Sequence, residues 1–124
     1  MTDQPPSDTV VTPLRKRYEA LTETRDPLPR LALCVGDGVV SVPYYTIGEI
    51  VLDEVKGELS FSINERQDVT IRGRNLRRLF NAIHVHACLR AQEFNARDFL
   101  APPTGDTRDA FIEHIEMVPR PTKK

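Results

Sequence analysis

The chain has 124 residues, a formal net charge of -1 at pH 7 and a sequence pI near 6.3. This length allows one hydrophobic core of roughly 90 residues but not two. The charge excludes a global field that would attract nucleic acid or an anionic membrane. The two cysteines, Cys34 and Cys88, are too few for a disulfide framework, and we expect buried thiols in a reducing compartment.

The ends of the chain differ from its middle. Residues 1–11 are polar and rich in proline, which predicts a disordered N-terminal tail. This segment lacks the basic and apolar regions of a secretory signal, and no stretch approaches the roughly 20 apolar residues of a membrane span. We therefore expect a cytoplasmic protein with a single domain over residues 12–118 and a tail over residues 119–124.

A short N-terminal helix is predicted to open the domain. Thr12 is a good N-cap, and Pro13 suits the first helical position, where its missing N–H costs nothing. Leu14, Tyr18 and Leu21 recur at i, i+4 and i+7, which would give the helix one narrow apolar face.

From residue 30 to residue 72 the apolar residues follow a period of two, which predicts short strands joined by turns. Gly36-Asp37-Gly38 is typical of a tight hairpin. Pro43 closes the returning strand and favours an edge or a bulge there, because proline cannot donate a ladder hydrogen bond. Residues 59–63 alternate apolar side chains with serine and form the clearest strand with one buried face. Four or five such strands indicate an antiparallel meander.

A long amphipathic helix is predicted to follow. The strand that starts at Asp68 would turn at Gly73 and continue into a helix capped by Asn75 and extending to residue 94. At 100° per residue its core face would comprise Leu76, Phe80, Ile83, Ala87 and Phe94. Residues 95–110 lose all periodicity and predict a long loop, after which a last strand begins at Phe111. The predicted fold class is therefore α+β: an antiparallel meander of five or six strands with one long helix on a face and a short N-terminal helix.

Four arginines surround the predicted start of the long helix, namely Arg72, Arg74, Arg77 and Arg78. Unpaired N–H groups at a helix start bind anions, and guanidinium groups reinforce such a site. The alternative is that these arginines pair with surface carboxylates and keep the face soluble. The segment lacks the glycine-rich run and Lys-Ser/Thr pair of a P-loop, so nucleotide hydrolysis is not indicated.

An apolar patch is predicted on the solvent side of the same helix. Val85 and Leu89 stand at i and i+4, with Ala82 beside them, roughly opposite the core direction. Stacked aliphatic residues on an exposed face mark a contact surface. These three residues are the interface candidates.

No catalytic or metal constellation is predicted. On a helix, His84 and Cys88 share a face while His86 points away, so three ligands would not converge. A two-ligand half-site completed by Cys34 or His114 is the remaining metal arrangement. The serines lack a nucleophile elbow. We therefore predict no metal and no cofactor.

Three runs carry a resemblance to known domains: Val40-Ser-Val-Pro-Tyr-Tyr, Gly57-Glu-Leu-Ser-Phe-Ser-Ile and Val69-Thr-Ile-Arg-Gly-Arg-Asn-Leu-Arg-Arg-Leu. They resemble small bacterial α+β domains in which a meander precedes a helix, and are more weakly similar to bacterial pleckstrin-homology-like domains. The resemblance covers about residues 31–91 and implies strands that end in one helix; it transfers no binding residues.

The leading functional prediction is a non-enzymatic interaction module that forms a homodimer or joins an assembly. The second is an anion or nucleic-acid binder that uses the four arginines. A metal or thiol enzyme that uses His84, Cys88 and Cys34 is the third.

Overall fold

The computed structural model describes residues 15–100 and 108–121. Its strands are β1 (Lys16–Arg17), β2 (Leu21–Glu23), β3 (Arg30–Val35), β4 (Gly38–Pro43), β5 (Val51–Asp53), β6 (Glu58–Ile63), β7 (Gln67–Arg74), β8 (Cys88–Gln92), β9 (Phe99–Leu100) and β10 (Phe111–Pro119). One α-helix, α1 (Arg77–His84), and a single 3-10 turn at Tyr44–Thr46 complete the described elements.

Two four-stranded sheets form the body of the fold. The first has the order β10-β7-β6-β5 and the second the order β2-β8-β3-β4, while β1 and β9 form a separate parallel pair. Neighbouring strands within the larger sheets are antiparallel, except that β3 and β8 run parallel.

Both sheets and α1 contribute to one hydrophobic core. Its buried side chains include Leu31, Leu33, Val42, Leu59, Phe61, Val69, Ile71, Leu79, Ile83, Ala91, Ile112 and Ile115. Because the same cluster contains residues from every large element, the described residues share a single core.

Several predicted elements are confirmed. Residues 30–43 form the β3–β4 hairpin, whose loop contains Gly36 at φ 56. Strands β5, β6 and β7 pair in sequence order, and a last strand begins at Phe111. The strand that ends at Pro43 is an edge strand.

The predicted α+β class and the single five- or six-stranded meander are wrong. The described residues are mostly β, and their strands are divided between three sheets. The meander continues only through β5, β6 and β7, because β8 leaves that sheet and inserts between β2 and β3. Pairing on both sides gives β8 the hydrogen bonds that a helix would otherwise have supplied.

The predicted long helix is also wrong. The helix has eight residues and ends at His84, after which His86 takes a φ of 61 and turns the chain into β8. Asn75 is not its N-cap: the cap position is Leu76, and no side chain caps the helix. The buried helix residues are Leu79, Ala82 and Ile83, so the core face differs from the predicted one.

No N-terminal helix occurs in the described residues. Residues 16–17 and 21–23 form β1 and β2, and Leu21 pairs with Ala91 of β8. The predicted helix start at Thr12 and Pro13 lies outside the described residues, as do the N-terminal tail of residues 1–11, part of the 95–110 loop and the end of the C-terminal tail.

Candidate functional site

Three of the four predicted anion-binding arginines have carboxylate partners. Arg72 contacts Glu58 at 3.1 Å and Glu116 at 3.3 Å. The hydrogen bond to Glu58 raises the pKa of Arg72 above its ordinary value. The positive charge of Arg72 is therefore partly compensated by these two carboxylates.

The other two pairs involve residues far away in the chain. Arg77 contacts Glu54 at 2.6 Å, and Arg78 contacts Glu23 at 2.6 Å. The hydrogen bonds to these carboxylates raise the pKa values of both guanidinium groups. For Arg72, Arg77 and Arg78 the structure thus has the surface pairing that the sequence offered as the alternative to an anion site.

The fourth arginine makes a different contact. The guanidinium carbon of Arg74 lies 4.4 Å from the centre of the Phe111 ring, within the range of a cation–π interaction. Arg74 ends β7, and α1 begins only at Arg77, so the four side chains do not surround one helix start.

The predicted apolar patch loses one member. Ala82 is 4 % exposed and belongs to the core, whereas Val85 and Leu89 are 57 % and 42 % exposed. Val85 follows the end of α1 and Leu89 lies in β8, so these two residues are not stacked on one helix. The prediction that they form an interface stays a prediction.

The histidines and cysteines have separate neighbours. His84 stacks on Phe80 and His86 on Tyr44, with ring centres 6.0 and 4.4 Å apart. His114 Nδ1 lies 3.1 Å from a carboxylate oxygen of Glu93. Within residues 15–100 and 108–121 no group of three or more potential metal ligands converges.

Cys34 and Cys88 are buried and do not form a disulfide. Burial raises the pKa of both thiols, in Cys88 to about 12. The Cys88 Sγ donates to the carbonyl oxygen of Arg90 at 3.3 Å. Because the thiolate is the nucleophilic form, a thiol held protonated in this way is poorly suited to catalysis at neutral pH.

A pH dependence of stability follows from Cys88. Its folded pKa of about 12 lies above the ordinary value of 9.0, so its contribution is complete below pH 9 and is lost as the pH rises towards 12. Between pH 9 and 10 this single group should lower the free energy of unfolding by about 1 kcal/mol.

Urea titrations of the wild type and Cys88→Ala at both pH values measure this effect. The variant should be less stable at pH 7 because it loses packing, but its stability should fall less between pH 9 and 10. Equal losses in the two proteins would contradict the assignment.

The longest open strand edge belongs to β4. All six of its residues pair with β3, from Val35 opposite Gly38 to Arg30 opposite Pro43. In the described part of the chain no strand lies on its other side. Val39, on this edge, is 63 % exposed. An exposed apolar edge strand is a template for pairing with another chain.

The first half of the outer edge of β10, by contrast, is covered. The backbone N–H of Ile112 donates to the Tyr18 hydroxyl, and the N–H of Ile115 donates to Glu93 at 2.8 Å. The carbonyl of Ile112 accepts the N–H of Phe94 at 2.9 Å. Ile112 and Ile115 thus have internal partners, whereas no strand lies beside β4 in the described part of the chain.

Register decides which β4 groups point outwards. In an antiparallel ladder, residues that exchange hydrogen bonds alternate with residues that do not. Because Val35 and Gly38 flank the tight loop, the inward-bonded residues are Gly38, Val40 and Val42, and the outward residues are Val39, Ser41 and Pro43. Arg30 donates to the Ser41 side chain at 2.7 Å and covers this end of the outer face. Sequence reasoning missed Val39 and Ser41; its only signal for this edge was Pro43.

No family model, no curated protein and no solved structure matches this chain. The resemblance to pleckstrin-homology-like domains therefore stays a prediction. No helix among the described residues has the length and apolar character needed to cross a membrane.

Proposed function

We propose that this protein is a non-enzymatic interaction module that self-associates by pairing its β4 edge with the β4 edge of a second copy. The observation that carries the proposal is the apolar edge of β4, which has no strand beside it among the described residues. Joining two such edges would extend the β2-β8-β3-β4 sheet across both copies.

The edge is self-complementary. With a two-fold axis at Val40, antiparallel pairing places Val39 of one copy opposite Ser41 of the other, and Ser41 opposite Val39. Both pairs consist of outward-pointing residues, so each can exchange both of its N–H···O bonds. The Ser41 carbonyl also accepts from the Arg30 guanidinium at 3.3 Å, so the N–H of the other copy would use its second lone pair. Pro43, which lacks an N–H, lies at the end of the strand, where it blocks no central hydrogen bond.

Charge supports the antiparallel direction. Asp37 lies at the hairpin tip and Arg30 beside the opposite end of β4, so pairing would bring Asp37 of each copy towards Arg30 of the other. Within one copy Asp37 contacts Arg97 at 2.6 Å, so in the dimer its carboxylate would lie between Arg97 and Arg30 of the other copy. A parallel pairing would instead place like charges together.

Solution mass tests the proposal. The wild type should be a dimer at micromolar concentration, and Val39→Lys should be a folded monomer because edge lysines block strand pairing. Val55→Lys is the matched control: Val55 is 98 % exposed in a turn outside β4, so this variant should stay dimeric. Ser41→Pro removes an outward N–H and should also give a monomer.

A charge exchange tests the direction of pairing. Arg30→Asp should weaken the dimer, and Arg30→Asp combined with Asp37→Arg should restore it. A monomeric wild type, or a dimer unaffected by Val39→Lys, would refute the proposal. If Val85→Asp with Leu89→Lys gives the monomer instead, the interface contains Val85 and Leu89 and not the edge of β4.

We also propose that the protein resides in a reducing compartment such as the cytoplasm, which its buried free thiols support. Anion binding by Arg72, Arg74, Arg77 and Arg78 is the alternative function, and the carboxylates beside three of them weaken it.

A further inference from the structure

A second surface differs from the arginine cluster in its charge balance. A cleft of about 450 Å³ opens where β1, β2 and β8 meet the segment before β9. Its basic lining residues are Lys16, Arg17, Arg90 and Arg97, and its acidic ones are Glu19 and Asp98. The cleft thus has more positive than negative side chains although the chain has a net charge of -1.

Among the described residues, two cations of the cleft and the Glu19 carboxylate have no ion-pair partner, which leaves one net positive charge unpaired. Arg97 is held by Asp37 at 2.6 Å and by Asp98 at 3.3 Å. Arg17 approaches Asp109 only to 3.9 Å. Among the described residues, Lys16 and Arg90 have no carboxylate within ion-pairing distance.

Register places neutral hydrogen-bonding groups beside these cations. Arg90 lies in β8 opposite Thr22 of β2, so the two side chains start from the same face of neighbouring strands. The side-chain nitrogen of Gln92 donates to the carbonyl of Glu93 at 2.8 Å and is therefore already used within the protein. A guanidinium, an ammonium and a hydroxyl together provide donors for a phosphate group.

An aromatic wall completes the cleft. Phe99 pairs with Lys16 in the β1–β9 register, and its ring is held edge-on against Tyr18 at 5.4 Å. An aromatic ring beside a cation matches the two parts of a nucleotide, because bases stack on aromatic rings while phosphates bind cations.

We propose that this cleft binds the phosphate group of a nucleotide, either free or within a single-stranded nucleic acid. Lys16 and Arg90 contact the phosphate, Thr22 adds a donor, and the base packs against Phe99. Asp37, which holds Arg97, is shared with the charge argument for the β4 interface, but Lys16 and Arg90 lie outside that interface, so the two proposals can fail independently.

Fluorescence anisotropy with a short labelled oligothymidine at low salt tests the site. The wild type should bind, and Lys16→Glu with Arg90→Glu should lower the affinity at least about tenfold and reduce the dependence on salt. Arg77→Glu with Arg78→Glu is the matched control: it makes the same charge change in the arginine cluster, and its affinity should change less than about twofold. Lys16→Gln with Arg90→Gln provides a second variant if the charge reversal disturbs folding.

Competition identifies the source of the phosphate. Displacement of the oligomer by AMP supports a free nucleotide, whereas displacement only by unlabelled oligomer supports nucleic acid. No binding at low salt would overturn the proposal, as would unchanged affinity in both Lys16/Arg90 variants. A loss of affinity in the Arg77/Arg78 variant alone would also overturn it and would return the site to the arginine cluster.

Discussion

Gly73→Ala should destabilise the protein by about 3 kcal/mol, at the upper end of the usual cost of overpacking. A Cβ at this position would overlap the carbonyl oxygen of Phe111, which belongs to the neighbouring strand β10. The backbone cannot move aside freely, because the Gly73 N–H also donates to the Gly57 carbonyl at 2.9 Å. The substitution therefore forces β7 and β10 apart beside their register shift.

Gly38→Ala is the matched control for this result. A Cβ at Gly38 would meet only the Val35 carbonyl oxygen, at 3.8 Å, which is an ordinary contact. Its stability should therefore change by no more than about 0.5 kcal/mol. Urea denaturation of the three proteins measures the difference, and similar midpoints for Gly73→Ala and the wild type would show that β7 and β10 do not approach this closely.

The strands with clear local signals were predictable from the sequence. Strand β6 alternates apolar residues with serines, and the β3–β4 hairpin has glycine where a positive φ is needed. Both features depend on residues close together in the chain. Gly73 was a different case: it was interpreted as a turn, but it permits the close approach of two strands whose residues are far apart in sequence.

Strand β8 could not be predicted in this way. Cys88–Gln92 contains alanine and leucine, which favour helix, and Ala87 and Phe94 on either side of it continued the apolar period of the preceding helix. Its neighbours on either side, β2 and β3, decided its structure.

The carboxylate partners of the arginines were similarly hidden. Glu58 lies 14 residues from Arg72, and Glu23 lies 55 residues from Arg78. The sequence therefore located the arginines but could not show that their charge was compensated. The cleft at Lys16 and Arg90 was missed because it depends on β1 and β8, which were both interpreted as helix.

Glu93 connects the two large sheets. One carboxylate oxygen accepts the backbone N–H of Gly36 in the β3–β4 loop at 2.9 Å, and the other accepts the N–H of Ile115 in β10 at 2.8 Å. Its side chain is only 13 % exposed. Because the carboxylate satisfies donors from both sheets at once, its removal affects the contact between them.

Glu93→Ala should therefore lower the free energy of unfolding by about 2 kcal/mol, since the part-buried Ile115 N–H is left without a partner while the exposed Gly36 N–H can bond water instead. Glu93→Gln should cost less, because the amide oxygen can still accept one N–H, although its NH2 group then faces the other donor. Glu49→Ala removes an exposed carboxylate and should change stability by less than about 0.5 kcal/mol. Urea denaturation gives the order of the three variants. A Glu93→Ala protein as stable as Glu49→Ala would show that the carboxylate does not join the sheets, whereas equal losses for Ala and Gln would show that both hydrogen bonds require the negative charge.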